Sequence, residues 1–166
     1  MDDIKEWLSY DPNTGIFTWI KPRKGIKKNK VAGRLDRNGY ITICFDGNHY
    51  LAHRLAWWWV FGKWPTNLLD HKDQDKSNNK IENLRECDYS TNGANLKSKR
   101  KYKGVFYDKR DNLIFSQIRF NNKSIRIGTF KTEEEAARAY DKKALELFGE
   151  YAFLNYKELS ENGKRT

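Results

Sequence analysis

Residues 68 to 95 read LLDHKDQDKSNNKIENLRECDYSTNGAN, a polar stretch that concentrates oxygen and imidazole donors in a chain otherwise rich in tryptophan and lysine. Asp70 and His71 are adjacent; Asn83 lies 13 positions after Asp70, and Asn92 lies 22 after it. Asp73, Asp75 and Ser77 alternate as the ligands of a calcium loop do. The sixth position of such a loop would be Asn78, where glycine is needed, and the twelfth Leu84, where a bidentate glutamate is needed, so a calcium loop is excluded. A structural zinc is not expected either, because one histidine and no paired cysteines cannot complete tetrahedral N/S coordination. The donor set instead suits a hard cation bound through oxygen.

Positioning these residues requires short elements on either side of a turn. LLDH reads as a strand that delivers Asp70 and His71 together, DQDKSNN as a turn, and IENL as a second short strand. DYSTNGANL reads as a helix carrying Asn92, with Asp88 and Ser90 as capping candidates. This order of strand, loop, strand and helix resembles the HNH nucleases, the ββα-metal family. The match is to the His-Asn-Asn form of phage and intron-homing enzymes, in which an Asp precedes the His and the last His is replaced by Asn. The resemblance implies a divalent cation, Mg²⁺ or alternatively Mn²⁺, held by Asp70 and Asn92. It implies His71 as the general base, suited by an ordinary pKa of about 6.5 to take a proton from water at neutral pH. It implies that Asn83 orients the loop without reacting.

The 166 residues carry 32 Lys and Arg against 22 Asp and Glu, a net charge of +10 that favours a polyanionic partner. The longest uncharged apolar run, LAWWWVFG from Leu55, is far short of the roughly 20 residues a membrane span needs. The acidic start MDDIKEW lacks an apolar signal core, and Cys44 and Cys87 have no metal spacing, so a reducing, cytoplasmic setting is expected, that of a bacterial host if a phage encodes the chain. DPNTGIFTW and NGYITICFDGNHYL predict hairpins, with KPRKGIKKNKVAGR a basic loop between them. AHRLAWWWVFG predicts a buried helix that places Trp57, Trp58 and Trp59 in the core and gives His49 and His53 structural roles.

A second module follows a basic bridge, KSKRKYK, whose Lys99, Arg100 and Lys101 suit phosphate contact. Three alternating segments, YKGVFYDKR, NLIFSQIRF and KSIRIGTF, predict an antiparallel sheet, and TEEEAARAYDKKALELFG predicts one helix opened by a Thr132–Glu135 capping box and closed at Gly149. Residues 102 to 156 resemble an AP2 DNA-binding domain through GV, GTF, EEAARAYD and A.LNY. That resemblance implies a sheet laid in the major groove, with Lys103, Gly104, Gln117, Arg119, Ser124 and Arg126 at the matching positions. Phe106 stands where the family commonly has Arg and Arg126 where it commonly has Trp, so the family's target sequence does not carry over.

The expected fold is therefore α+β: N-terminal hairpins leading into a ββα-metal core, then a three-stranded sheet packed on one helix. The expected division is 1–96 for hairpins and nuclease (motif 51–96), 97–103 for the linker, 104–158 for the AP2-like domain and 159–166 for a tail. The expected function is metal-dependent endonuclease action on double-stranded DNA, with no membrane and no obligatory protein partner. The alternative from another class is an inactive, sequence-specific DNA-binding regulator. RNA binding is a weaker reading, since no RNP or KH signature is present.

Overall fold

Turn chemistry organises the N-terminal half of the computed structural model, which describes residues 2–23 and 25–156. After a 3₁₀ turn (Asp2–Glu6), β1 (Leu8–Asp11) and β2 (Ile16–Trp19) pair antiparallel around a loop in which the Asp11 carboxylate accepts the Asn13 N–H at 2.9 Å and the Thr14 hydroxyl at 2.8 Å. β3 (Arg34–Leu35), β4 (Ile41–Phe45) and β5 (Asn48–Leu51) form a second sheet. Asp46 and Gly47 join β4 to β5 with φ of 49° and 76°, the paired positive angles that let a two-residue turn follow strand twist. Helix α1 (Ala52–Phe61) ends where Gly62, at φ 69°, returns its N–H to the Trp58 carbonyl. β6 (Leu68–His71) and β7 (Leu84–Cys87) then pair antiparallel.

The chain divides into two compact units between Cys87 and Asp88. The first has a core of Ile4, Leu8, Phe17, Trp19, Ile43, Leu55 and Trp58, with Trp57 and Trp59 packed against it. Each large side chain fully buried here contributes about 1.5–3 kcal/mol of transfer free energy. Trp58 is thus a core residue and Trp57 and Trp59 pack against that core, as the apolar surroundings of all three in the sequence predict.

The second unit opens with α2 (Tyr89–Asn95), capped by Asp88, whose side chain accepts the Thr91 N–H at 2.8 Å; the side chain of Ser90, the other capping candidate, lies outside those described. β8 (Val105–Asp108), β9 (Leu113–Phe120) and β10 (Lys123–Phe130) form a sheet in the order β10-β9-β8. Helix α3 (Glu133–Phe148) starts at Thr132, which accepts the Glu135 N–H at 3.1 Å. Ala136, Ala137 and Ala144 are buried on its inner face, small enough for close approach to the sheet. Ala94 of α2 belongs to the same core as Ile118, Tyr140 and Phe148, so α2 is built into this unit. The tail from 159 lies outside the described residues. Among the described residues no helix is long and apolar enough to cross a membrane. The fold is α+β, as the sequence predicts.

Candidate active site

β6 carries Asp70 and His71, both buried at 7% and 4% exposure. The register of β6 on β7 sets Asp70 opposite Arg85, and the guanidinium donates from Nε at 3.0 Å and Nη2 at 2.8 Å to Oδ2 of Asp70. This buried fork holds the carboxylate in one orientation. Arg85 has no place in the sequence prediction, because its position opposite Asp70 depends on the register set by the intervening loop.

That loop, 72–83, is tied down by Asn83. The Asn83 side chain donates to Oδ1 of Asp73 and to the Asn78 carbonyl, both at 2.9 Å, and accepts the Asp73 N–H at 3.1 Å. Its backbone carbonyl accepts the Lys72 N–H at 2.9 Å. Residues Ile81–Asn83 form a 3₁₀ turn and the strand begins at Leu84, which corrects the expectation that IENL is itself a strand. The physical reason lies in the pairing: the Ile81 N–H goes to the Pro12 carbonyl at 3.2 Å, so this segment answers to the first hairpin and not to β6.

The same hairpin holds Asn79. The Tyr10 hydroxyl donates to the Asn79 carbonyl at 2.8 Å, and a Cβ on Gly15, which has φ of 74°, would lie 2.4 Å from the Lys80 nitrogen. Only glycine allows that backbone-to-backbone approach. Asn79, 2% exposed, points Oδ1 at Nε2 of His71 at 3.5 Å, the outer limit of a hydrogen bond. An amide oxygen at Nε2 favours the tautomer protonated there, which leaves the ring's lone pair on Nδ1.

An aromatic cluster backs the histidine. The rings of His53 and His71 meet edge to face at 5.1 Å, and Tyr40 lies 5.1 Å from His53 and 6.1 Å from His71. Burial pushes the His71 pKa below its ordinary value, opposed by the Asn79 contact and by the charges of Asp73, Asp70 and Asp75. Burial, with smaller contributions from His71 and Arg54, pushes His53 down to about 3. Burial acts to raise the Asp73 carboxyl, but bonds from Asn78, Asn83 and the Asp75 N–H outweigh it and hold Asp73 below the usual range. His71 is thus a neutral imidazole near neutral pH with anionic oxygens beside it.

An HNH endonuclease family model matches residues 50–94, from β5 through most of α2, and an AP2 domain model matches residues 100–150. A protein of Acanthamoeba polyphaga mimivirus named as an uncharacterized HNH endonuclease is 32% identical over 157 residues, covering 93% of this chain and 83% of the relative. The chain belongs to the HNH endonuclease family. The chain also carries the AP2 domain that its sequence resembles.

The remaining predicted residues all lie within the second unit. Gln117 and Arg119 alternate with buried Ser116 and Ile118 and so face away from α3, and Ser124 and Arg126 are their register partners on β10. Lys99, Arg100 and Lys101 are exposed, with Lys101 bridged to Glu133 and Glu134 at 3.3 Å each. Lys103 is placed differently. Its ammonium donates to the carbonyls of Gly93 at 3.2 Å, Ala94 at 2.5 Å and Leu96 at 2.7 Å, at the C-terminal end of α2, where burial pushes its pKa down to about 8. Gly104, at φ 75°, is required by packing, since a Cβ there would lie 1.9 Å from the Tyr140 ring. Asn92 sits half-buried on α2. Among the described residues no group of three or more His, Cys, Asp or Glu side chains is placed to hold a metal.

Proposed function

We propose that the protein is a divalent-cation-dependent endonuclease that hydrolyses phosphodiester bonds of double-stranded DNA, with His71 as general base and the AP2 domain directing it to its target. The observation that carries this reading is the burial of His71 beside Asp70 at the end of β6, where the chain enters a loop that Asn83 ties closed.

Asp70 and Asn92 fit a hard cation on donor chemistry: one carboxylate oxygen and one amide carbonyl oxygen, without sulfur, suit Mg²⁺ or Mn²⁺. When bound, such a cation polarises the scissile phosphate and stabilises the leaving oxygen. The chain's own groups supply the rest. Arg85 fixes the orientation of the Asp70 carboxylate through two charge-assisted bonds. Asn79 sets the His71 tautomer, so that Nδ1 takes the proton of the attacking water. Asn83 preserves the loop that carries Asn79, an orienting role. Tyr40 and His53 exclude water from the imidazole's other side.

Lys99, Arg100 and Lys101 contact phosphates, which fix register without reading sequence. Gln117, Arg119, Ser124 and Arg126 form the reading surface, since the site's phosphate and cation contacts are the same at every step of the duplex. Lys103 and Gly104 serve the second unit's architecture, a reading supported by the Lys103 bonds to carbonyls at the end of α2 and by the close approach of Gly104 to the Tyr140 ring. Incubation of supercoiled and linear plasmid with and without Mg²⁺, followed by end mapping, tests the proposal. Specific binding without cleavage under any divalent cation would favour the DNA-binding regulator.

A further inference from the structure

The outer face of the AP2 sheet carries two stacked rings with a guanidinium over each. Phe106 on β8 and Phe115 on β9 are direct cross-strand partners, and their rings stack with centroids 5.3 Å apart and planes 13° from parallel. The guanidinium of Arg126 lies 4.5 Å from the Phe115 centroid, and that of Arg100 lies 4.3 Å from the Phe106 centroid. The order is Arg126, Phe115, Phe106, Arg100. Both arginines are exposed, and among the described residues neither guanidinium is in an ion pair with a carboxylate.

A guanidinium has five N–H donors confined to its plane and apolar faces above and below it. A ring under one face removes rotamers and fixes the plane, so the donor edge is already aimed outward before a ligand arrives. A cation over a ring at an exposed site is favoured about two- to fivefold, enough to bias the side chain without burying it. The acceptor pair that matches a fixed planar fork is O6 and N7 of guanine on the major-groove edge. A lysine in either place would supply the same charge with no plane.

We propose that the Phe106–Phe115 pair is a platform that presets Arg100 and Arg126 to read guanine edges, making this arrangement the principal determinant of target sequence. The inference rests on the proposed DNA targeting by the AP2 domain. It also moves Arg100 from phosphate contact to base readout.

The test is selection from a random duplex pool by the full-length protein in EDTA, where bound DNA is not cut, followed by sequencing and by affinity measurements at several salt concentrations. The wild type selects guanine at two positions. Arg126→Lys and Phe115→Leu each lose preference at the same one of these, by about five- to a hundredfold, the discrimination one bidentate contact supplies. Phe106→Leu weakens the other. All three keep the wild-type salt slope, because no charge is removed, and the two Phe variants keep their affinity for random DNA within about twofold. Arg126→Lys alters no core side chain, so its result stands even if a Phe variant folds poorly. A wild type without base preference would overturn the targeting reading itself. Loss of a guanine position in Arg126→Ala, with both Phe variants and Arg126→Lys retaining it, would overturn the platform while leaving targeting intact.

Discussion

Removing Arg85 should expose how strongly the site depends on its buried ion pair. Arg85 and Asp70 have side chains that are each 9% accessible, and both guanidinium bonds end on one carboxylate oxygen. Arg85→Leu keeps the apolar bulk of the stem and deletes the two bonds, leaving a buried carboxylate that has lost its cationic partner. Breaking such a pair from one side costs about 3–5 kcal/mol, a large share of the 5–15 kcal/mol that a domain typically has. With a urea m-value of about 2 kcal/mol per molar, the midpoint should fall by roughly 2 M. Trp fluorescence is the assay, because all 6 tryptophans lie in the first unit and the signal does not mix the two units' transitions. Asp70→Asn combined with Arg85→Leu should cost less than the sum of the single variants, since the double variant has no buried charge to strand. Strict additivity, or a loss below 1 kcal/mol for Arg85→Leu, would refute the reasoning.

Asn83→Ala removes three side-chain hydrogen bonds and should cost about 2–4 kcal/mol, at roughly 1 kcal/mol per bond, with amide exchange rising across residues 72–83 and cleavage falling with it. His53, held at about 3 in the fold against about 6.5 unfolded, is bound to fewer protons in the native state between those values, so stability is complete above pH 6.5 and declines by about 1.4 kcal/mol per unit as pH falls toward 3; His53→Leu should flatten that slope in urea titrations. The acid limb of cleavage should lie below pH 6.5, because burial keeps His71 neutral to lower pH; a midpoint above 6.5 would contradict it. Lys103→Met should raise amide exchange at the C-terminal end of α2 while leaving the salt slope of DNA binding unchanged, whereas a phosphate-contacting lysine would reduce that slope by about 1.

What the sequence revealed, and what it hid, follows from the range of the interactions involved. The Asp46-Gly47 turn, the Gly62 stop and the Thr132 cap are local, and each was readable from neighbours within a few positions. Asp70, His71, Asn83 and Asn92 stood out through spacing. Arg85 and Asn79 did not, although both lie within the quoted stretch, because their contacts depend on strand register and on a hairpin more than 60 positions away. IENL was misread for the same reason: its β-prone ends suit a strand, but Asn83 and Pro12 hold it as a turn. Lys103 and Gly104 match positions of a DNA-binding family, and the structure adds neighbours that the sequence does not show, the carbonyls of α2 and the ring of Tyr140; neither is visible until the fold packs α2 on the AP2 core.

The central claim is that His71 takes the proton from the attacking water, and single-turnover cleavage of duplex DNA in Mg²⁺ by wild type and His71→Ala tests it most directly, with DNA affinity measured in parallel. The account predicts a rate at least about a hundredfold lower in His71→Ala, with DNA affinity unchanged. A variant that cut at the wild-type rate would contradict it.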